Sequence, residues 1–296
     1  MKTSTTKYHW LMLLTLVLIA TSFPVAATIT NGLPPAVMMF VRFLLAALLF
    51  APYVFIKNGL ALPPGRNLFY YSILSIPLVI FFWCMFESLR YTSVLNTGAL
   101  YTLVPAMTAV FALIINKEIT NRFRIFGLCL GTAGALWIVF RGDYQAFIRL
   151  ELNYGDLVFV IGCVFMALYN PLIKKLHEGE PMEIMTFWVL LLGAGWLLIL
   201  SGSELLDIDW LSIEATVYAG IVYLALFCTL ISFFLLQLCV IQIGATKVAA
   251  YGFLTPLLII VISLIFGIDE FDAVIFPGII LVIVSMYITQ REPTPA

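Results

Sequence analysis

The sequence predicts an all-α membrane protein: ten transmembrane helices arranged as two inverted five-helix repeats, with both termini cytoplasmic. Three observations carry that expectation. Hydrophobic residues make up 63% of the 296 positions and charged residues only 10%, whereas a soluble domain holds about half and about a quarter. The surface itself must then be apolar. Ten apolar runs are each long enough to cross a bilayer, which takes about 20 residues of helix. Lysine and arginine gather at alternate run ends, the pattern that fixes orientation in a membrane.

The spans fall at roughly 10–30, 35–56, 67–89, 92–116, 124–141, 155–174, 183–202, 214–240, 245–267 and 272–290. The first follows Lys2 and Lys7 and contains "PVAA", as a secretory leader would. The remaining chain needs it as a helix, so it is read as a span. The second holds Arg42, and the third carries Glu87 near its end. The fourth has Pro105 at its centre. The fifth and sixth have short uncharged cores, Ile125–Phe140 and Leu157–Ile173, and borrow polar flanks. The last four follow with connections too short for a soluble domain. The expected organisation is a first repeat over 1–142, a linker over 143–154, a second repeat over 155–290 and a tail over 291–296.

With a cytoplasmic N-terminus, that side holds Lys2, Lys7, Lys57, Arg66, Lys117, Arg122, Arg124, Lys174, Lys175, Lys247 and Arg291. The other side holds Arg90, Arg141 and Arg149, together with the acidic stretches "SELLDIDWLSIE" and "DEFD". Basic residues number 15 and acidic ones 16, so nothing marks a nucleic-acid partner. The five cysteines lie inside apolar runs without a CxxC pair and read as small core side chains rather than a metal or disulfide framework. No cofactor or metal set is expected.

Proline punctuates the chain twice in the same way. Laying "GALYTLVPAMTAVFALIINKE" over "AAYGFLTPLLIIVISLIFGIDE" pairs Pro105 with Pro256 at an offset of 151, and the same offset pairs Gly127 with Gly278. "ATSFPVAATI" and "ALYNPLIKKL" similarly pair Pro24 with Pro171. Five spans per half is an odd number, so the second half enters the membrane upside down. Secondary transporters are built this way, with the binding site near the midplane where the halves meet.

These stretches also resemble a known family. "LRYTSVLNTGALYTLVPAMTAVFALIINKEITNRFRIFGLCLGTAGALWI" is similar to the repeat unit of EamA-type carriers of the drug/metabolite transporter superfamily. The shared features are a small-residue-rich span with a central proline, an acid directly after it (Glu118), and a glycine-rich span following. "GATKVAAYGFLTPLLIIVISLIFGIDEF" is similar, with its acid at Asp269 or Glu270, as are "RFLLAALLF" and "GDLVFVIGCVFMALYNPLIKK". The resemblance implies ten helices with cytoplasmic ends and export or exchange of small metabolites, often amino acids. This chain has Ala20 and Met166 where many members carry tryptophan.

The candidate site residues follow from interruptions and from depth. Proline leaves the carbonyl four residues earlier without its helical donor, so Pro105, Pro256, Pro24 and Pro171 expose Tyr101, Gly252, Ala20 and Ala167. Such a break is either a hinge lining the solute path or a static kink repaired by neighbours. Gly98, Tyr101, Pro105 and Thr108 share a helix face, and Tyr251 has a comparable place on the ninth span. Glu87 is an acid inside a bilayer, where such groups meet a pathway or a partner; Arg90 and Arg42 are the structural partners within reach. Ser22, Trp83, Tyr169, Asn170, Tyr223 and Gln237 complete the cavity candidates, while Trp10, Trp137 and Trp210 read as interfacial anchors.

The expected activity is that of a secondary transporter in the bacterial inner membrane. It would carry amino acids or related metabolites, with a proton or counter-substrate as coupling partner, as a monomer or homodimer. A passive channel is the alternative. An intramembrane enzyme is disfavoured by the absence of HExxH, and no GxxxxGK[ST] offers nucleotide energy.

Overall fold

The computed structural model describes residues 5–59, 62–118, 121–145, 152–265 and 273–290. Lys2, Arg149, Arg291, Asp269, Glu270, the middle of the 143–154 stretch and the 291–296 tail lie outside the described residues. Every regular element among those described is helical.

Among the described residues, ten helices are long and apolar enough to cross a membrane. They are α1 (Thr5–Ile29), α2 (Pro35–Asn58), α3 (Gly65–Ser88), α4 (Val94–Tyr101 continued by Val104–Asn116) and α5 (Arg122–Val139). The second half contains α6 (Tyr154–Leu176), α7 (Met182–Ser201), α8 (Ala215–Ile243), α9 and α10 (Phe276–Gln290). Helix α9 is assembled from Ala245–Ala250, a 3-10 turn Tyr251–Leu254 and Thr255–Ile265. Helix α8 contains a π-helical turn at Leu226–Ile231, which its uniformly apolar sequence does not announce.

Local chemistry explains the ends. Ser93, Asn121 and Asn153 accept amide hydrogens at the starts of α4, α5 and α6, as N-caps do. Asp156 completes a reciprocal capping box with Asn153. Gly244, at φ 92°, turns α8 into α9 within one residue, a conformation that side chains with a Cβ resist. Val110, Leu113, Ile114, Ile125 and Phe126 are exposed, forming the apolar outer surface that lipid requires.

The packing is two-fold. Helix α3 lies on α6 as α8 lies on α1; α4 lies on α6 as α9 lies on α1; α3 meets α7 as α8 meets α2. Helices α2 with α7, α4 with α9, and α5 with α10 pack against their own counterparts. The direction of the repeat is visible in two of those pairs. Along α5, Gly127, Gly131 and Gly134 meet Thr289, Ser285 and Leu281 in turn, so α10 runs antiparallel to its equivalent. Helices α2 and α7 do the same, with Phe43 beside Gly193, Phe55 beside Phe187 and Lys57 beside Glu183. The halves are inverted.

The pairing of Gly127 with Gly278 acquires a reason. A Cβ on Gly127 would lie 2.9 Å from Thr289 Oγ1, and one on Gly278 would lie 2.7 Å from Ile138 Cγ1. Ile138 and Thr289 are themselves 151 apart, so the two contacts are equivalent. Small residues let membrane helices approach closely enough for dispersion to hold them. Four of the five cysteines are buried, whereas Cys129 is exposed; it projects from the opposite face of this glycine-lined helix.

At Gly134 the close approach includes backbone: an added Cβ would come within 2.7 Å of Leu281 Cβ and 2.8 Å of the Gly278 carbonyl. Gly134→Val is therefore expected to cost about 1–3 kcal/mol through overpacking. Gly195→Ala, where a Cβ meets open space, is expected to be neutral or slightly stabilising. Thermal unfolding of both variants in the same detergent checks the contrast.

Candidate functional site

The interruptions at Pro105 and Pro256 meet in space. Pro105 cannot donate to the Tyr101 carbonyl, and the chain tightens instead: Thr102 N–H bonds Ala99 O and Leu103 N–H bonds Leu100 O, both at 3.1 Å. On α9 the corresponding stretch is the 3-10 turn Tyr251–Leu254, and the Thr255 amide takes the Gly252 carbonyl. That carbonyl, expected to be freed by Pro256, is thus repaired locally. A Cβ built on Gly252 would lie 3.5 Å from Pro105 Cγ and 3.7 Å from Tyr101 Cε1. Pro24 and Pro171 differ from this pair, lying inside helices that continue through them.

Beside the crossing is a small cavity of about 20 Å³, room for roughly one water molecule. Ile19, Ser22 and Phe23 of α1 and Phe81, Phe82 and Met85 of α3 form one part of its wall. Tyr101, Met166, Cys228 and Phe233 bring in α4, α6 and α8. Ile19 and Met166 are 147 apart, the offset that joins Pro24 to Pro171, so equivalent positions face the same space. Larger grooves, including one of 610 Å³ between α4 and α5, are lined by exposed residues such as Val110 and Leu113 and face the lipid side.

The sequence candidates divide on this geometry. Ser22 and Tyr101 line the cavity, and the Tyr101 ring packs edge-on to Phe23 at 5.7 Å. Tyr223 reaches the neighbouring layer, donating to Thr21 Oγ1 at 2.9 Å. Tyr169 is fully buried one layer further along, accepting from Gln237 Nε2 at 2.9 Å and packing on Phe233. Asn170 is buried with its Oδ1 unpartnered. Trp83 is half-buried and outside the lining, because Phe81, Phe82 and Met85 occupy the inward face of α3. Glu87 lies 3.7 Å from Arg90 Nη1 and away from the cavity. Tyr251 instead shares a 2.7 Å hydrogen bond with His9 Nδ1 and borders a peripheral groove.

Of the two structural partners within reach of Glu87, Arg90 is the one beside it, and Arg42 has no carboxylate partner among the described residues. Its side chain is fully buried and points at the π-helical turn of α8. Nε donates to Thr229 Oγ1 at 2.6 Å, and Nη2 donates to the Cys228 carbonyl at 3.1 Å. The guanidinium also lies 4.4 Å over the Phe82 ring. A π-turn displaces carbonyls from the regular helical ladder and recurs at functional sites.

A family model described as the EamA-like transporter family matches residues 6–140 and 153–291. The chain belongs to the EamA-like transporter family. It is 26% identical over 290 residues to an "Uncharacterized transporter" of Archaeoglobus fulgidus, covering 97% of this chain and 98% of that one. The "Uncharacterized transporter YyaM" of Bacillus subtilis is 27% identical over 225 residues, covering 75% and 72%. A crystal structure titled only as that of a protein superposes with a TM-score of 0.76 at 14% identity, covering 97% and 98% of the two chains. That likeness concerns the fold.

In this EamA-like chain, polar contacts join the halves on both sides of the cavity. At the end where α1 begins, Glu118 after α4 accepts from Lys174 of α6 at 2.9 Å and from Thr246 of α9 at 2.8 Å. His9 with Tyr251, and Asn116 Nδ2 donating to the Pro171 carbonyl at 3.1 Å, add to that closure. At the opposite end Asp156 of α6 accepts from Thr92 at 2.5 Å and from Asn96 at 3.4 Å. Asp156 thus both caps α6 and clasps α4; the second contact depends on tertiary packing and has no local signature.

Burial pushes the Glu118 carboxyl pKa up, but the Lys174 and Thr246 hydrogen bonds and the Lys174 charge outweigh it, holding it below its ordinary 4.5. A depressed carboxylate pKa contributes stability that is present above the unfolded value and lost as pH falls through the folded one. Wild-type protein is therefore expected to lose thermal stability progressively as pH drops below 4.5, and Glu118→Gln to lose less over the same range. Melting curves of both proteins across that window check the sign.

Proposed function

We propose that the protein is a secondary transporter that exports or exchanges small metabolites, amino acids or related compounds, across a bacterial inner membrane by alternating access. Its termini are cytoplasmic on this reading, since Lys57, Lys117, Lys174 and Lys175 share one end of the bundle with the start of α1. The observation that carries the proposal is the crossing of two interrupted helices, one from each half, beside a cavity at their common axis. Inverted-repeat transporters place discontinuous helices against their solute in this way.

The clasps support the same reading. Those at one end tie α4, α6 and α9 together and those at the other tie α4 to α6, so each end closes over the cavity by contacts independent of the other. Rocking the halves about the Pro105–Gly252 crossing opens one set while the other holds. A cavity of about 20 Å³ fits a carrier between open states better than a passive pore. Either a proton or a returning solute is the coupling partner.

Proteoliposomes containing the full chain and a panel of radiolabelled amino acids and related metabolites test the reading. Expected is saturable uptake of at least one solute, accelerated when the same unlabelled solute is inside. Flux that stays linear with concentration and shows no counterflow would assign a channel instead. Pro105→Ala restores a donor for the Tyr101 carbonyl and is expected to slow turnover by about tenfold while the protein stays folded. Initial rates beside melting temperatures check that separation.

A further inference from the structure

Arg42 is a charge that the scaffold leaves uncompensated. It is fully buried within α2, its partners Thr229, the Cys228 carbonyl and Phe82 are all neutral, and its Nη1 has no hydrogen-bond partner among the described residues. The ion pairs found among the described residues join other groups. Ser232 Oγ, three residues beyond Thr229, is also buried without a partner. A guanidinium offers five donors in a planar fork, and here the fork is only partly used. Burying a charge without a counter-charge is unfavourable, so its presence needs a reason other than stability.

We infer that Arg42 anchors the transported solute through an anionic group, a carboxylate carried on a small apolar body. The inference rests on the transport reading above and names its substrate class. The fork matches a carboxylate in a bidentate manner. Two of the three groups holding it, Phe82 and Cys228, also line the central cavity, so the guanidinium lies directly behind that part of the wall. The rest of the wall, including Phe23, Phe81, Phe233, Met85 and Met166, suits an apolar body. No Asp or Glu lines the cavity among the described residues, so a solute ammonium finds no counter-charge there. The anchor belongs to one half only: α7, the counterpart of α2, has Glu183 as its sole charged residue. A carboxylate is therefore held from one side of the pseudo-two-fold axis.

The test uses the purified full chain in detergent at constant pH and ionic strength. Four probes share one body: 3-phenylpropanoate, phenylalanine, 3-phenylpropanamide and 3-phenylpropylamine. Expected is saturable thermal stabilisation by the first two, with the acid lacking an amine binding at least as well as the amino acid, and none by the amide or the amine. Arg42→Gln is expected to weaken binding of the acid by about tenfold or more, with Arg42→Lys intermediate because it keeps charge and loses the fork. Stabilisation by the amine or amide equal to that by the acid overturns the inference from wild-type protein alone, whether or not the variants fold. Failure of both carboxylates to bind, or unchanged acid binding in Arg42→Gln, overturns it too. The two readings fail separately. An acid that binds through Arg42 but shows no counterflow in proteoliposomes removes the transport reading and leaves the site. Counterflow of an uncharged solute that persists in Arg42→Gln removes the site and leaves transport.

Discussion

The contact of Gly252 with Pro105 and Tyr101 is where the architecture turns on a single constraint. Hydrocarbon supplies no hydrogen bonds, so a helix can be interrupted in a bilayer only where protein surrounds the interruption. The inverted repeat satisfies that constraint by placing each break against the other. The 3-10 bonds at Thr102, Leu103 and Thr255 absorb the local loss of regular pairing, and the crossing buries Tyr101, Thr102, Gly252 and Phe253. The glycine-lined α5–α10 contact and the α2–α7 pair then act as flanks, each helix packed on its own inverted copy. Breaks, cavity and closures therefore share one axis because the breaks have nowhere else to go.

Much of this was legible because it is written in residues that act on the backbone. Proline and glycine have strong, context-free effects, and the offset of 151 between Pro105 and Pro256 identified the crossing before any contact was known. Depth in the bilayer follows from apolar run length, so Ser22 and Tyr101 could be placed near the middle. What the sequence could not reveal was azimuth. Trp83 has the same depth as its neighbours Phe81 and Phe82, yet the helical rotation of about 100° per residue turns it away from the space that they line. Pro24 and Pro171 were equally visible as a pair, but both helices continue through them, since a proline kink and a proline break differ only in tertiary surroundings. The π-turn of α8 was invisible for a related reason: "LFCTLI" has no residue that demands it, and Arg42, which donates to Thr229 and Cys228 within it, is distant in sequence.

The sequence offers Glu87 two partners, Arg90 and Arg42, on the sound ground that charges in membranes find counter-charges. Glu87 is held by Arg90 at the helix end, where water reduces the cost of both charges. An arginine inside a bilayer costs about 2.5–3.5 kcal/mol on insertion scales. The two hydrogen bonds and one aromatic face that surround Arg42 offset that cost without supplying a counter-charge. Placement against an irregular turn of α8, rather than at a helix end, is what separates this residue from the anchoring lysines.

The scaffold is duplicated but its polar chemistry is not, and that difference gives an inverted repeat a direction. A perfectly symmetric protein would have identical free energies when open to either side. Here one end is closed by an ion pair, Lys174 with Glu118, reinforced by Thr246. The other is closed by neutral donors from Thr92 and Asn96 on Asp156. Hydrogen bonds to a carboxylate are charge-assisted whichever donor makes them; only the first closure adds a cation, and Lys174 is its more exposed partner, so water competes for it as the end loosens. The cation at Arg42, present in one half alone, breaks the symmetry a second time at the centre. On the proposed reading the backbone supplies two near-equivalent conformations, and these unpaired substitutions decide which is favoured and what solute can shift the balance.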